Sequence, residues 1–166
     1  MTTDPRSLKN GTHGWLTDSR VYNLVWLGRW LERFDSVSRM LGAVSGSTQG
    51  AGEPAAFEQA LQSAAFAWGV GSPESDAGAQ GHLAQFSELM LACLRNARDD
   101  ATQVGSLELI RALNALLEEF GGVWDSVDGP GSLASATRYL TMRMDEVTAV
   151  CEQGSFRAQP GVGATV

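Results

Sequence analysis

The sequence is short of lysine. Of its 12 basic residues all but Lys9 are arginine. Arginine carries a planar fork that matches carboxylate or phosphate, so this bias favours fixed ion pairs over loosely solvated charge. Positive charge is also outnumbered. Twelve Lys plus Arg stand against 19 Asp plus Glu, giving a net charge of −7 and a pI near 4.7. That balance excludes the basic footprint of a nucleic-acid-binding domain. Cysteine and histidine are scarce, at two each. Cys93 and Cys151 are far apart, and His13 and His82 join no Cys/His cluster, so neither a zinc site nor a disulfide framework is expected. The Glu-x-x-His pairs of a di-metal bundle are missing too. No metal or other cofactor is expected. Long apolar runs are lacking: no segment approaches the roughly 18 consecutive apolar residues of a membrane span. Met1 to Trp15 has no apolar core of a signal peptide. The expectation is a cytoplasmic protein without membrane or nucleic-acid partners. No segment alternates with β-branched enrichment, so strands are not expected.

What the chain does have is helical periodicity, punctuated by 19 glycines, and five tryptophans. Its 166 residues suit one domain. Residues 1–16 read as an irregular segment, 17–153 as a single helical bundle and 154–166 as a flexible tail. Asp18 or Ser19 is placed to cap a first helix reaching about Val44. "SGSTQGAGEP" (45–54) follows as a flexible connection, and Pro54 suits the first position of a second helix. That helix carries Phe57, Leu61, Ala64, Ala65 and Trp68 on one stripe. After the Gly-rich stretch 69–81, a third helix from about Gln80 to Val104 buries Leu83, Phe86, Met90, Leu94 and Ala97. Ser106 is placed to cap a fourth helix, expected to stop at Phe120 before Gly121. "GGVWDSVDGPGS" is then a loop holding Trp124, and a fifth helix runs from about Leu133. Three long and two shorter helices with Gly-rich loops make an all-α bundle.

The segment "NLVWLGRWLERFDSVSRML" (23–41) carries the chemistry. At about 100° per residue, Leu24, Trp26, Leu27, Trp30, Leu31, Phe34, Val37 and Leu41 fall on one core-facing side. Arg29, Glu32, Arg33 and Ser36 fall nearly opposite. That second face is not evenly polar, because Val21, Tyr22 and Val25 precede the charges and Met40 and Val44 follow them. The pattern predicts a helix covered on most sides, with an ion-pair network at mid-height. Glu32 is spaced to meet Arg29, and Asp35 to meet Arg39; Arg33 is left to reach another helix. Gly28 lowers helix propensity and hints at close approach by a neighbouring helix. The plainer reading is a solvated face with local pairs worth a few tenths of a kcal/mol each.

These residues carry a family resemblance. "LGRWLERFDSVSRML" resembles the signature of the alpha-E domain, a bacterial all-helical family named for its Glu-Arg pair. Trp26, Gly28, Arg29, Leu31, Glu32, Arg33, Arg39 and Leu41 match the family pattern. "LRNARDDA" (94–101) and "ALNALLEEF" (112–120) look like two later family segments through Asn96, Ala97, Arg98 and Asn114, while Leu94 and Arg95 depart from it. The family usually repeats the motif in a chain about twice this length. Here "RMDEVT" (143–148) can be set against "RFDSVS" (33–38), but Met142 stands at the Glu32 position, so the second copy is degenerate or absent. The resemblance implies an accessory protein that works beside circularly permuted ATP-grasp proteins in amide- or peptide-ligating pathways. It implies no active site of its own.

Three functions therefore stand open. The first is a non-catalytic helical accessory protein that binds an ATP-grasp ligase or its peptide substrate, with Arg29, Glu32, Arg33, Arg39, Asn96 and Arg98 as motif residues. Trp68 and Trp124, placed at a helix end and in a loop, could anchor such a partner. The Trp26–Trp30–Phe34 stripe reads instead as core. The second is an enzyme that holds a carboxylate or phosphate through Arg29, Arg33 and Arg98, with Glu32 as acid or base; no nucleophile or metal ligand set accompanies it. The third is a bundle that self-associates into a homo-oligomer.

Overall fold

Five helices build the chain in a computed structural model that describes residues 18–50, 52–71, 76–104 and 106–157. They are α1 (Asp18–Thr48), α2 (Pro54–Ala67), α3 (Gly78–Val104), α4 (Leu107–Asp125) and α5 (Pro130–Arg157). Three are long, at 31, 27 and 28 residues, and two shorter, at 14 and 19. The expected all-α bundle is the fold. α1 packs on α3 and α5, and α4 closes the ring by packing on the same two helices. α2 lies over the α1–α3 seam. Phe34 of α1 meets Phe120 of α4 edge-on across the centre, with ring centroids 6.3 Å apart.

The core follows the helical stripes. Leu27, Leu31, Phe34, Val37 and Leu41 are buried on α1, and Leu83, Phe86, Met90, Leu94 and Ala97 on α3. Each such Leu, Phe or Met contributes about 1.5–3 kcal/mol by leaving water, which holds five helices of modest propensity in place. Leu113, Leu116 and Phe120 of α4 and Leu133, Leu140 and Met144 of α5 complete it.

Helix ends depart from the sequence expectations where burial outweighs local preference. α1 continues past Val44 to Thr48, because Ser45 and Thr48 are buried and bond the preceding turn: Ser45 Oγ donates to Gly42 O at 2.8 Å and Thr48 Oγ1 to Val44 O at 2.8 Å. Asp18 is no cap but lies inside the first turn, where its charge suits the helix dipole. Pro54 does open α2, and Ser106 does cap α4, its Oγ accepting from Leu109 N at 3.4 Å. α4 does not stop at Phe120. Gly121 and Gly122 cost helix propensity, yet the helix runs through them to Asp125 because Trp124 seals the core. α5 starts at Pro130, three residues early, where Ser132 Oγ accepts from the amides of Asp128 and Gly129. Residues 154–157, expected in the tail, form the last turn of α5. The irregular segment proposed for 1–16 and the tail beyond 157 lie outside the described residues.

The close helix approach is not at Gly28. A Cβ built there would meet nothing within 4 Å, whereas one at Gly42 would sit 3.3 Å from Thr137 Oγ1 on α5. Among the described residues no helix is long and apolar enough to cross a membrane.

Candidate functional site

Arg29, Glu32 and Arg33 share the outward side of α1, spaced so that their side chains rise from adjacent turns. All three are exposed. With Trp26, Trp30 and Ser36 of α1 and Trp68 at the end of α2 they line an open groove of about 600 Å³. The expected network does not form: among the described residues none of the three takes part in an ion pair. The arginines rest on indoles instead. The Arg29 guanidinium carbon is 5.5 Å from the Trp26 ring centroid, and that of Arg33 is 5.9 Å from the Trp68 ring centroid. A ring face attracts a cation by about 0.5–1 kcal/mol at an exposed site. A guanidinium held by its face keeps the N–H groups on its edge available to an acceptor.

Trp26 is a correction to the core stripe, and Trp30 sits at its edge, packed against the core but not enclosed by it. They are half-buried, stand next to one another with centroids 5.7 Å apart, and continue to Tyr22, 6.0 Å from Trp26. They form a ridge along α1. Their far flank lines a second groove, of about 340 Å³, with Tyr22, Asn96, Asp99 and Asp100. Burial pushes the Asp100 carboxyl above the usual carboxylate range; a hydrogen bond from the Trp30 side chain opposes this and the charge of Asp99 adds to it. One indole ridge thus separates a groove holding two arginines from one holding two aspartates.

Arg98 lies outside both grooves and pairs with its neighbour Asp99 at 3.3 Å. The anticipated convergence of Arg29, Arg33 and Arg98 is therefore absent from the structure, while Asn96 does reach the acidic groove. Arg39 occupies a different side of α1. Its Nε meets Asp35 at 2.7 Å, as its spacing predicts, and one terminal nitrogen lies 3.5 Å from Asp145 of α5. It is Arg39, not Arg33, that bridges to α5, in an exposed position where such a pair adds little stability.

The segment 143–148, set against 33–38, shares part of its geometry. Val37 and Val147 are both buried, and Asp35 and Asp145 meet the same arginine. Arg143 diverges from Arg33: it binds Glu119 of α4 at 3.0 Å and also Glu146. Met142 is exposed where Glu32 would stand.

Of the two tryptophans offered as partner anchors, Trp68 is half-buried at the rim of the first groove. Trp124 is buried within the chain's own core, not half-exposed in a loop. It is 8% exposed, stacks on Phe120 at 5.5 Å and donates its indole N–H to Leu83 O at 3.2 Å. The glycines before it disguised a helix as a loop.

His82 is buried, with Nδ1 3.3 Å from Gln85 Oε1. Cys93 is buried and its thiol is pushed up chiefly by that burial, so it is poorly suited to nucleophilic work. Among the described residues no three His, Cys, Asp or Glu side chains are grouped to hold a metal ion. Asp99, Asp100 and Tyr22 were not anticipated as site residues. The sequence signal that could have found them was the acid pair after Arg98, one helix over from the tryptophans.

Compared with protein families, curated proteins and solved structures, the chain has no significant match.

Proposed function

We propose that this chain is a non-catalytic helical accessory protein that acts by binding, with the outward face of α1 as its recognition surface. The observation that carries this reading is the state of Arg29 and Arg33. Both are exposed, stacked on indoles in an open groove, and engaged by no carboxylate among the described residues. Arginines and tryptophans presented in this way are the residue types that dominate binding energy at interfaces. The resemblance of the 26–41 motif to alpha-E domains supplies the class of partner: an ATP-grasp-type amide ligase or its peptide substrate. The enzymatic alternative loses its third arm, since Arg98 does not line the groove. A self-associating bundle draws on a separate observation, the exposed apolar side chains of Val21, Tyr22, Leu24 and Val25 at the start of α1.

Mixing the protein with an ATP-grasp ligase encoded beside it tests the first reading. Co-elution is expected, and charge reversal at Arg33 is expected to abolish it. Unchanged elution and ligase activity on mixing would overturn it. A concentration-dependent dimer in sedimentation, lost on Val25→Glu, would favour self-association instead.

A further inference from the structure

The two grooves beside the Trp26–Trp30 ridge differ in sign, and that difference limits what can lie across them. The first offers two guanidiniums and one carboxylate, Glu32, with the Ser36 hydroxyl beside them. The second offers two carboxylates, Asp99 and Asp100, with the Asn96 amide. One Asp99 oxygen meets Arg98 at 3.3 Å and Asp100 accepts from the Trp30 side chain, each with acceptor capacity to spare. A polyphosphate or a nucleic-acid backbone would satisfy the arginines but be repelled by Glu32 in the same groove and by the acids across the ridge. A single carboxylate suits the first groove better, because it can accept bidentately from a guanidinium edge without carrying excess charge toward Glu32. Glu32, which offers only acceptors when ionised, favours a ligand that also carries a donor, which a peptide amide N–H provides. The acidic groove on the far flank suits a lysine or arginine side chain, with its aliphatic stem over the indoles.

We infer that the ridge and its two grooves bind a peptide, with a peptide carboxylate between Arg29 and Arg33 and a basic side chain beside Asp99 and Asp100. The carboxylate is supplied either by a chain terminus or by an aspartate or glutamate side chain. This deepens the binding role proposed for the α1 face and rests on it, but does not depend on the partner being a ligase.

Three tryptophans line the first groove, so intrinsic fluorescence reads occupancy directly. The probes are an acetylated Lys-Gly-Phe peptide with a free C-terminus, the same peptide amidated, an amidated Lys-Gly-Glu peptide, and inorganic phosphate. Expected is saturable binding of the free acid, weakened about tenfold or more by amidation, as loss of a charge-assisted contact requires. Binding of the amidated glutamate peptide as tightly as the free acid assigns the side chain as the natural source; weaker binding assigns the terminus. Arg29→Gln with Arg33→Gln is expected to weaken the free acid by at least the same factor while helicity is retained, since both residues are exposed. Asp99→Asn with Asp100→Asn is expected to erase the preference for lysine over norleucine in the probe. Equal binding of acid and amidated Lys-Gly-Phe, phosphate binding as tight as the free acid, or no change in the arginine variant would overturn the inference. Peptide binding without ligase co-elution would remove the ligase reading and leave the groove assignment standing; the reverse result would do the opposite.

Discussion

Replacing Trp124 separates core from interface. If the indole were a loop-borne anchor, its removal would cost binding and leave folding stability nearly unchanged. In the structure it closes the bundle where α4 meets α3: 8% exposed, stacked on Phe120 and donating to Leu83 O at 3.2 Å. Trp124→Ala removes the whole buried ring system, for an expected loss of about 3–5 kcal/mol. Trp124→Phe keeps a ring against Phe120 but drops the hydrogen bond, worth about 1 kcal/mol, and some buried surface. The expected loss is then about 1–2 kcal/mol in all. Trp68→Ala, at the half-buried rim of the groove, is the control and is expected to cost clearly less than Trp124→Ala. Urea unfolding followed by far-ultraviolet circular dichroism gives all three values, with slopes compared to confirm that the unfolded states match. A Trp124→Ala loss below about 1 kcal/mol, or one no larger than that of Trp68→Ala, would refute the burial argument and the extension of α4 to Asp125.

Two further predictions follow from the helix surfaces. Gly28→Ala is expected to stabilise the fold by about 0.5–1 kcal/mol, since the added methyl meets nothing within 4 Å and helix propensity rises; Gly42→Ala, 3.3 Å from Thr137 Oγ1, is expected to gain less or to destabilise. Thermal melts of the two variants decide this, and a lowered midpoint for Gly28→Ala would show that the space is occupied in the intact chain. Tyr139 donates to Glu119 Oε2 at 2.8 Å, and that hydrogen bond, with burial and the Glu119 charge, holds its hydroxyl above the ordinary tyrosine value while Arg143 pulls it down. The phenol is neutral when it makes this bond, so its contribution is complete below the ordinary tyrosine range and is lost as pH rises through the raised folded value. In a Tyr22→Phe background Tyr139 is the remaining one of the two tyrosines, and its ultraviolet titration is expected to shift down on Glu119→Gln; no shift would refute the assignment.

The sequence by itself determined the helical class, the five helices of the described residues and most of the core. Period and stripe are local properties, so Leu83, Phe86, Met90 and Leu94 could be read as buried before any neighbour was known. It also determined the Asp35–Arg39 pair, because a spacing of four residues on one helix fixes who meets whom. What lies across helices was not legible. Which helix Arg33 would reach depended on where α2 lies over α1, and no local pattern encodes that placement. Trp26 looked like core because a helical wheel shows which way a side chain points, not whether a helix stands there to cover it. Trp124 looked exposed for the opposite reason: two glycines argued for a stop, and only the packing of α4 against α3, with Leu83 O to accept the indole N–H, made burying the ring worth more than their propensity cost. The charged face that anticipated an internal network is open in the folded chain, because only tertiary packing decides which polar face is left without a covering helix.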